Sequence, residues 1–132
     1  MEYLLDTSAL IQILFDSGKV PEKIKEIVSD EENDIYVSFA SLWEIAIKSR
    51  KKLKEFPVTY KATYNTLTKS TDFRFLTLHE NLLEEYEEIA NQQIHKDPFD
   101  LMLLCIAKHE ELTIITTDKI FTKYENVDVI VY

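Results

Sequence analysis

The sequence predicts an α/β protein with a mostly parallel sheet, and two patterns carry that prediction. Five short segments rich in apolar and β-branched residues alternate with longer segments whose apolar residues recur at helical spacing. Strands that alternate with helices are typical of βαβ units, in which consecutive strands run parallel. At 132 residues, 45% apolar and 30% charged, the chain is expected to form one domain, residues 1–132, with a real core.

Each predicted element has a local signal in the sequence. The predicted strands are 2–5, 35–38, 73–78, 113–117 and 127–132. The predicted helices are 8–15, 21–31, 40–52, 58–69, 79–92 and 98 to about 110, with a helical turn at 119–123. Pro21 opens the second helix and Ser38 is a suitable cap for the third, while Pro57 breaks the chain. Asp97 before Pro98 is a strong helix-start signal, because Asp caps well and Pro fits the first helical position.

The composition excludes several kinds of site. A single glycine and the lack of any glycine-rich phosphate loop remove P-loop and dinucleotide-binding functions. A single cysteine, Cys105, rules out an internal disulfide, and its apolar neighbours predict a small buried hydrophobe. The three histidines, His79, His95 and His109, lack the spacing of a metal motif, and His95 is expected in a surface loop.

Charge and hydropathy limit the kinds of partner that the protein is expected to bind. The net charge of −9, from 15 basic and 24 acidic side chains, argues against indiscriminate nucleic-acid binding. Five basic residues nevertheless fall in the stretch KSRKKLK at 48–54, which could hold a nucleic-acid backbone or could be a solvated helix end with favourable cations. The start MEYLLD does not resemble a signal peptide, and no apolar run approaches membrane-spanning length. We therefore expect a cytoplasmic protein without membrane contact.

Four acids stand just beyond an apolar run or in the first turns of the following helix: Asp6, Glu44, Asp100 and Asp118. In open α/β sheets the ligand lies at the carboxyl ends of the strands, where these acids would meet. Each acid also has a local explanation. The three aspartates would favour helix starts, as caps or through the helix dipole, and Glu44 precedes Lys48 by the four residues of a helical ion pair.

Taken together, the four acids favour a metal site over four separate caps. Like charges brought close together raise one another's pKa and destabilise the fold, and a divalent cation removes that cost. Ligands that are all oxygen suit Mg²⁺ or Mn²⁺. Such an ion activates water and stabilises charge on a phosphate, so hydrolysis of a phosphodiester is the chemistry that this pattern indicates.

Four motifs occur in order along nearly the whole chain: LLDTSAL at the start, SLWEIAIK at 41–48, HKDPFD at 95–100 and TTDKIF at 116–121. Together they resemble the PIN domain, and more narrowly the toxin ribonucleases of bacterial VapBC (type II) toxin–antitoxin pairs. The resemblance implies a three-layer fold with a five-stranded parallel sheet in the order 3-2-1-4-5 flanked by helices. It also implies that Asp6, Glu44, Asp100 and Asp118 bind Mg²⁺ or Mn²⁺ and cut RNA.

The resemblance extends to residues around the quartet. It implies that Thr7, Ser8 and Thr116 bond the carboxylates or a metal-bound water, while Asp97 caps the helix that presents Asp100. Many relatives carry Arg where this chain has Leu101, which puts a phosphate or partner contact from that position in doubt. The basic residues available for RNA binding are Lys48, Arg50, Lys51 and Lys52.

The resemblance also implies protein partners. Relatives usually form homodimers and are inhibited by a small antitoxin, whose tail lays a helix and a basic side chain over the acidic site. The helices 40–52 and 58–69 would form the groove for that tail. A net charge of −9 suits a basic tail.

Two other functions are compatible with parts of the pattern. The first is a catalytically inactive PIN-like module that acts through protein contacts and binds no metal at the acidic edge. The second is an acidic phosphoryl module such as a receiver domain, which needs paired acids after the first strand. Asp6 stands alone there, which disfavours the receiver reading.

Overall fold

The protein is described here by a computed structural model, which covers residues 1–51, 58–94 and 97–132. The strands are β1 (Glu2–Leu5), β2 (Asp34–Ser38), β3 (Arg74–Leu76), β4 (Thr113–Thr116) and β5 (Val129–Val131). The helices are α1 (Thr7–Phe15), α2 (Glu22–Ser29), α3 (Phe39–Arg50), α4 (Tyr60–Ser70), α5 (Leu83–Asn91) and α6 (Pro98–His109). Short 3₁₀ turns lie at Ser17–Lys19, Glu80–Leu82 and Lys119–Lys123. The predicted α/β class is confirmed.

The sheet is parallel throughout, in the order β3-β2-β1-β4-β5. The central strand β1 places Leu4 beside Tyr36 of β2 on one side and beside Ile114 of β4 on the other. The chain leaves β1 towards β2 and β3 and later returns to β4, so the connections diverge between β1 and β4. Ligands of open α/β sheets bind at such a switch point.

Helices cover both faces of the sheet, as a parallel sheet requires. Successive residues of a strand point to opposite faces, so Leu5 packs with residues of α1, α3 and α4, while Leu4 packs with residues of α5 and α6. Both leucines are fully buried. The predicted three layers and strand order are therefore confirmed. Among the described residues, no helix is long and apolar enough to cross a bilayer.

Several predicted boundaries shift for local reasons. Pro21 has an extended ψ of 150°, so it caps α2 from outside and the helix begins at Glu22. The predicted helix 79–92 opens as a 3₁₀ turn, and α5 proper begins at Leu83. The strand predicted at 73–78 pairs with β2 only over Arg74–Leu76. The predicted break at Pro57 lies outside the described residues.

Candidate active site

Asp6 is the acid at the end of the central strand. Its backbone N–H donates to the carbonyl of Ile115 at 3.0 Å and continues the pairing of β1 with β4. Its carboxylate caps α1 by accepting from the N–H of Ala9 at 2.8 Å, and it also accepts from the hydroxyls of Ser8 and Thr116. Asp6 is 4% exposed. A short side chain held by backbone and hydroxyl donors has a fixed position at the sheet edge.

Burial outweighs those hydrogen bonds in setting the charge of Asp6. Loss of solvent raises the pKa of its carboxyl, the donors Thr116, Ala9 and Ser8 lower it, and the charge of Glu44 raises it again. The result is a pKa of about 6, against 3.8 for a free side chain. Near neutral pH a cation close to this carboxylate would therefore stabilise its ionised form.

The start of α6 separates the two acids of the DPFD segment, as the sequence predicted. Asp97 is the cap, and it accepts from the N–H of Phe99 at 2.8 Å and from that of Asp100 at 3.4 Å. Pro98 is the first helical residue, and Asp100 stands in the first turn. The next residue, Leu101, also belongs to α6 and is buried in the core that α5 and α6 form with the sheet. An apolar residue thus packs inside the protein directly after Asp100.

Asp100 is the point at which the acids converge electrostatically. Burial raises the pKa of its carboxyl, and the charges of Asp97, Glu44, Asp6 and Asp118 raise it further, to about 7. These four acids come from the start of α6, from α3 and from the ends of β1 and β4, and all lie near enough to the Asp100 carboxyl to oppose its ionisation. The structure brings the whole predicted quartet to one edge of the sheet.

Glu44 reaches this edge from α3, whose first turn is capped by the hydroxyl of Ser38. Glu44 is 5% exposed, and the ammonium of Lys48, one turn later, lies 2.5 Å from its carboxylate. Lys48 also lies 3.5 Å from Asp97. Burial lowers the pKa of this ammonium, but the carboxylates of Glu44 and Asp97 raise it, with a net rise. The positive charge of Lys48 therefore partly balances the negative charges of the acidic site.

Asp118 follows β4 and caps the 3₁₀ turn Lys119–Lys123. Its carboxylate accepts from the N–H of Ile120 at 2.9 Å, and its own N–H donates to the hydroxyl of Thr116 at 2.9 Å. The same hydroxyl donates to Asp6. Thr116 is fully buried, and its hydroxyl links the carboxylate of Asp6 to the backbone of Asp118 after the neighbouring strand.

The remaining hydroxyls divide between two tasks. Ser8 donates to Asp6, and its oxygen also lies 2.6 Å from that of Thr117. Thr7, which was expected to bond a carboxylate or a metal-bound water, donates instead to the hydroxyl of Ser41 at 3.0 Å and ties α1 to α3. Ser8 and Thr116 therefore hold the acids, and Thr7 holds the helices that carry them.

Sequence reasoning missed Ser41, Thr117 and Tyr132. The backbone N–H of Tyr132 donates to the carbonyl of Thr116 at 3.1 Å, next to the acidic edge. Its buried hydroxyl has no hydrogen-bond partner among the described residues. Burial, together with the charge of Asp6, raises the pKa of this hydroxyl to about 12. Its place after β5 could have suggested it, because β5 ends at the same edge as β4.

The described residues among those predicted to bind RNA lie in two places. Lys48 lies in the acidic site, whereas Arg50 and Lys51 are exposed at the end of α3. Lys52 and His95 lie outside the described residues.

The donor set suits a hard divalent cation with its own water shell. The carboxylates are all oxygen donors, and two of them have raised pKa values. Within the described residues, three ligand atoms within 4.8 Å of one another occur at His79, His109 and Glu110 and not among these acids. An open set of acids still fits Mg²⁺, which keeps several waters and needs only one or two carboxylates.

An acidic cluster at the switch point of a three-layer parallel sheet is the feature that defines the class of this protein. The sequence profile of the PIN domain matches residues 3–127, and the chain belongs to this family. No curated protein sequence matches the chain.

Solved structures of VapBC proteins share the fold over nearly their whole length. VapBC2 from Rickettsia felis, bound to a DNA fragment from its promoter, matches with a TM-score of 0.75 and 16% identity, covering 100% of this chain and 99% of that one. VapBC-1 from nontypeable Haemophilus influenzae gives 0.73 and 23% identity, covering 99% and 98%. VapBC-5 from Mycobacterium tuberculosis, a member of the VapBC family of toxin–antitoxin systems, gives 0.64 and 18%, covering 99% and 98%.

Proposed function

We propose that this PIN domain is an endoribonuclease that depends on Mg²⁺ or Mn²⁺ and is the toxin of a toxin–antitoxin pair acting in the cytoplasm. The observation that supports the proposal best is the convergence of acids from α3, α6, β1 and β4 on Asp100. Acids that oppose one another's ionisation need a cation, and hydrolysis of phosphodiesters is the chemistry that such a cation serves.

The ion would be held by Asp6, Asp100 and Asp118, with Glu44 completing the set or orienting a second ion. When bound, the ion lowers the pKa of a water and stabilises negative charge on the phosphate. The chain's own groups fix the carboxylates: Thr116 and Ser8 hold Asp6 by hydrogen bonds. The helix cap at Asp97 sets the turn that presents Asp100.

The RNA backbone would lie along the exposed end of α3. Arg50 and Lys51 are exposed there, and the basic sequence continues through Lys52. Lys48 would join them once an ion takes over its role beside Glu44 and Asp97. Because these contacts are few and the remainder of the chain is acidic, we expect weak RNA binding with a shallow salt dependence.

An antitoxin would lie in the groove between α3 and α4. The groove is lined by Phe39, Leu42, Trp43, Ala46 and Tyr60. Trp43 is 62% exposed and Tyr60 is 43% exposed, and large aromatic side chains left in water are typical of a binding surface. An amphipathic helix of the antitoxin fits this groove, with a basic side chain directed at the acids. Trp43→Ala should weaken co-purification with that antitoxin, whereas Phe15→Ala, at an aromatic that is 40% exposed and outside the groove, should not.

A second copy of the chain would cover a different apolar face, between α5 and α6. Leu83 there is 70% exposed, and Tyr86 and Met102 are 45% and 36% exposed. We propose that this face forms the homodimer. Leu83→Glu should give a monomer in sedimentation, and an unchanged dimer would place the contact elsewhere.

Cleavage of RNA by tag-free protein tests the proposed activity directly. The parent should cut RNA with Mg²⁺ or Mn²⁺ and lose activity with a chelator. Asp6→Asn keeps the capping oxygen but removes a charge, so it should lower the rate by a factor of about 100 or more. Asp128→Asn, which neutralises an exposed acid, is the matched control. Metal-dependent cutting that survives Asp6→Asn would reject this site, and no cutting by the parent on any RNA would favour the inactive interaction module.

A further inference from the structure

A second group of potential metal ligands lies at the other end of α6. His79 precedes the 3₁₀ turn Glu80–Leu82, His109 is the last residue of α6, and Glu110 caps that helix. One ligand atom from each lies within 4.8 Å of the other two. Nine positions of α6 separate Asp100 from His109, and at about 1.5 Å per residue they span about 13.5 Å. The two groups of ligands are therefore separate sites.

We propose that His79, His109 and Glu110 bind a first-row transition-metal ion, with Zn²⁺ as the best match. Two imidazoles and one carboxylate are borderline-soft donors, unlike the all-oxygen acidic site. Three protein ligands with an open fourth position are also a known zinc arrangement. Mg²⁺ does not compete well for imidazole nitrogen, so this group of ligands favours the transition metal over Mg²⁺.

The distances need only small side-chain rotations to close around an ion. Nε2 of His79 lies 3.6 Å from Oε1 of Glu110. Ligands about 2.1 Å from a tetrahedral ion stand about 3.4 Å apart. The ring centroids of His79 and His109 lie 5.3 Å apart, and the two ring planes meet edge to face at 65°. His79 and Glu110 are exposed, so they can turn towards an ion without disturbing the core.

A carboxylate already stands behind one of the imidazoles. Nδ1 of His109 lies 3.7 Å from Oε1 of Glu85, on α5. Glu85 itself lies 3.0 Å from the ammonium of Lys108. Metal-bound histidines commonly donate their second ring N–H to such a carboxylate, which fixes the ring and strengthens the ligand. This arrangement leaves Nε2 of His109 for the ion.

The ion would tie together parts of the chain that are far apart in sequence. His79 belongs to the connection between β3 and α5, whereas His109 and Glu110 end α6. Because the three ligands meet only in the folded protein, binding adds its free energy to folding. This also explains why the spacing of the histidines in the sequence gave no sign of a site.

Ion pairing offers a simpler account of the same contacts. Protonated His79 would pair with Glu110, and protonated His109 would pair with Glu85. This account predicts no affinity for Zn²⁺ and little change on exchanging one histidine for glutamine. Zinc binding therefore separates the two accounts.

Calorimetric titration of Zn²⁺ into the tag-free full chain, with millimolar Mg²⁺ to occupy the acidic site, tests the proposal. We expect one equivalent to bind, with at least a tenfold loss of affinity in His79→Gln, His109→Gln and Glu110→Gln. Glu85→Gln should weaken binding by about tenfold, because it removes the carboxylate behind the ring. Glu111→Gln, at the neighbouring exposed acid, should bind as the parent does.

Two results would overturn the proposal. One is no binding by the parent, and the other is binding that all three ligand variants retain. Thermal melts with and without Zn²⁺ give a second readout, since the ion should raise the Tm of the parent and of Glu111→Gln but not of His109→Gln. A variant that fails to fold would show as a lost transition, and His79→Gln, at an exposed position, then carries the test.

Discussion

Asp100→Asn should make the metal-free protein more stable, although it removes a proposed ligand. The pKa of this carboxyl is raised from 3.8 to about 7, so ionising it in the folded state is unfavourable at neutral pH. A difference of that size corresponds to about 4 kcal/mol at about 1.36 kcal/mol per pH unit. Asp100 keeps part of its surface in water, and screening there reduces the gain to about 2 kcal/mol. For a chain of this length that is a rise in Tm of about 6 to 10 °C.

The assay is a thermal melt at pH 8 with a chelator, compared with a melt in millimolar Mg²⁺. Asparagine has nearly the same shape as aspartate, so the change isolates the charge. The parent should gain stability from Mg²⁺ and the variant should gain little. Asp128→Asn controls for the change in net charge, since Asp128 is exposed. A metal-free Asp100→Asn protein that melts below the parent, or no higher than Asp128→Asn, would refute the reasoning.

Three further predictions follow from the same site. The pKa values of Asp6 and Asp100 lie above those of the unfolded chain, so the stability they contribute is present below about pH 4 and is lost as pH rises through about 6 and 7. Thermal melts with a chelator across this pH range should show the fall in stability. The fall should be smaller in Asp100→Asn. Thr116→Val removes a donor to Asp6 that is worth about 1.5 kcal/mol or more; the pH at half-maximal cleavage should rise by about one unit, and an unchanged pH profile would deny that role. Lys48→Met leaves buried Glu44 without its ammonium and should lower metal-free stability by about 2 kcal/mol; Mg²⁺ should restore more stability to it than to the parent, and equal metal effects would contradict this.

The sequence predicted the fold class because alternating strands and helices leave local patterns, and the three layers came with the family resemblance. Asp97 before Pro98 predicted the start of α6, and Asp97 is the N-cap of that helix in the structure. The strand order came with the family resemblance and is also confirmed. Boundaries such as Pro21 and β3 depend on how far neighbouring segments pair and pack, which local patterns do not carry.

Other parts of the site depend on contacts between distant segments and could not be read from spacing. Ser41 meets Thr7 only after α3 packs on α1, and Tyr132 reaches the edge only through the pairing of β5 with β4. The ion pair of Lys48 with Glu44 follows from helical spacing, but its reach to Asp97 does not. His79 and His109 stand 30 positions apart in the sequence and come together only in the folded chain.

The acids of this edge are anchored in two different ways. The carboxylates of Asp6, Asp97 and Asp118 accept hydrogen bonds from backbone N–H groups at helix or turn starts. The backbone therefore fixes the positions of these short side chains. Glu44 has a longer side chain and is positioned by an ammonium. Salt screens a buried ion pair much less than an exposed one, so Glu44 keeps its partner in ordinary buffers. Its position nevertheless depends on another side chain, so a change at Lys48 would move this carboxylate while the backbone-anchored acids keep their places.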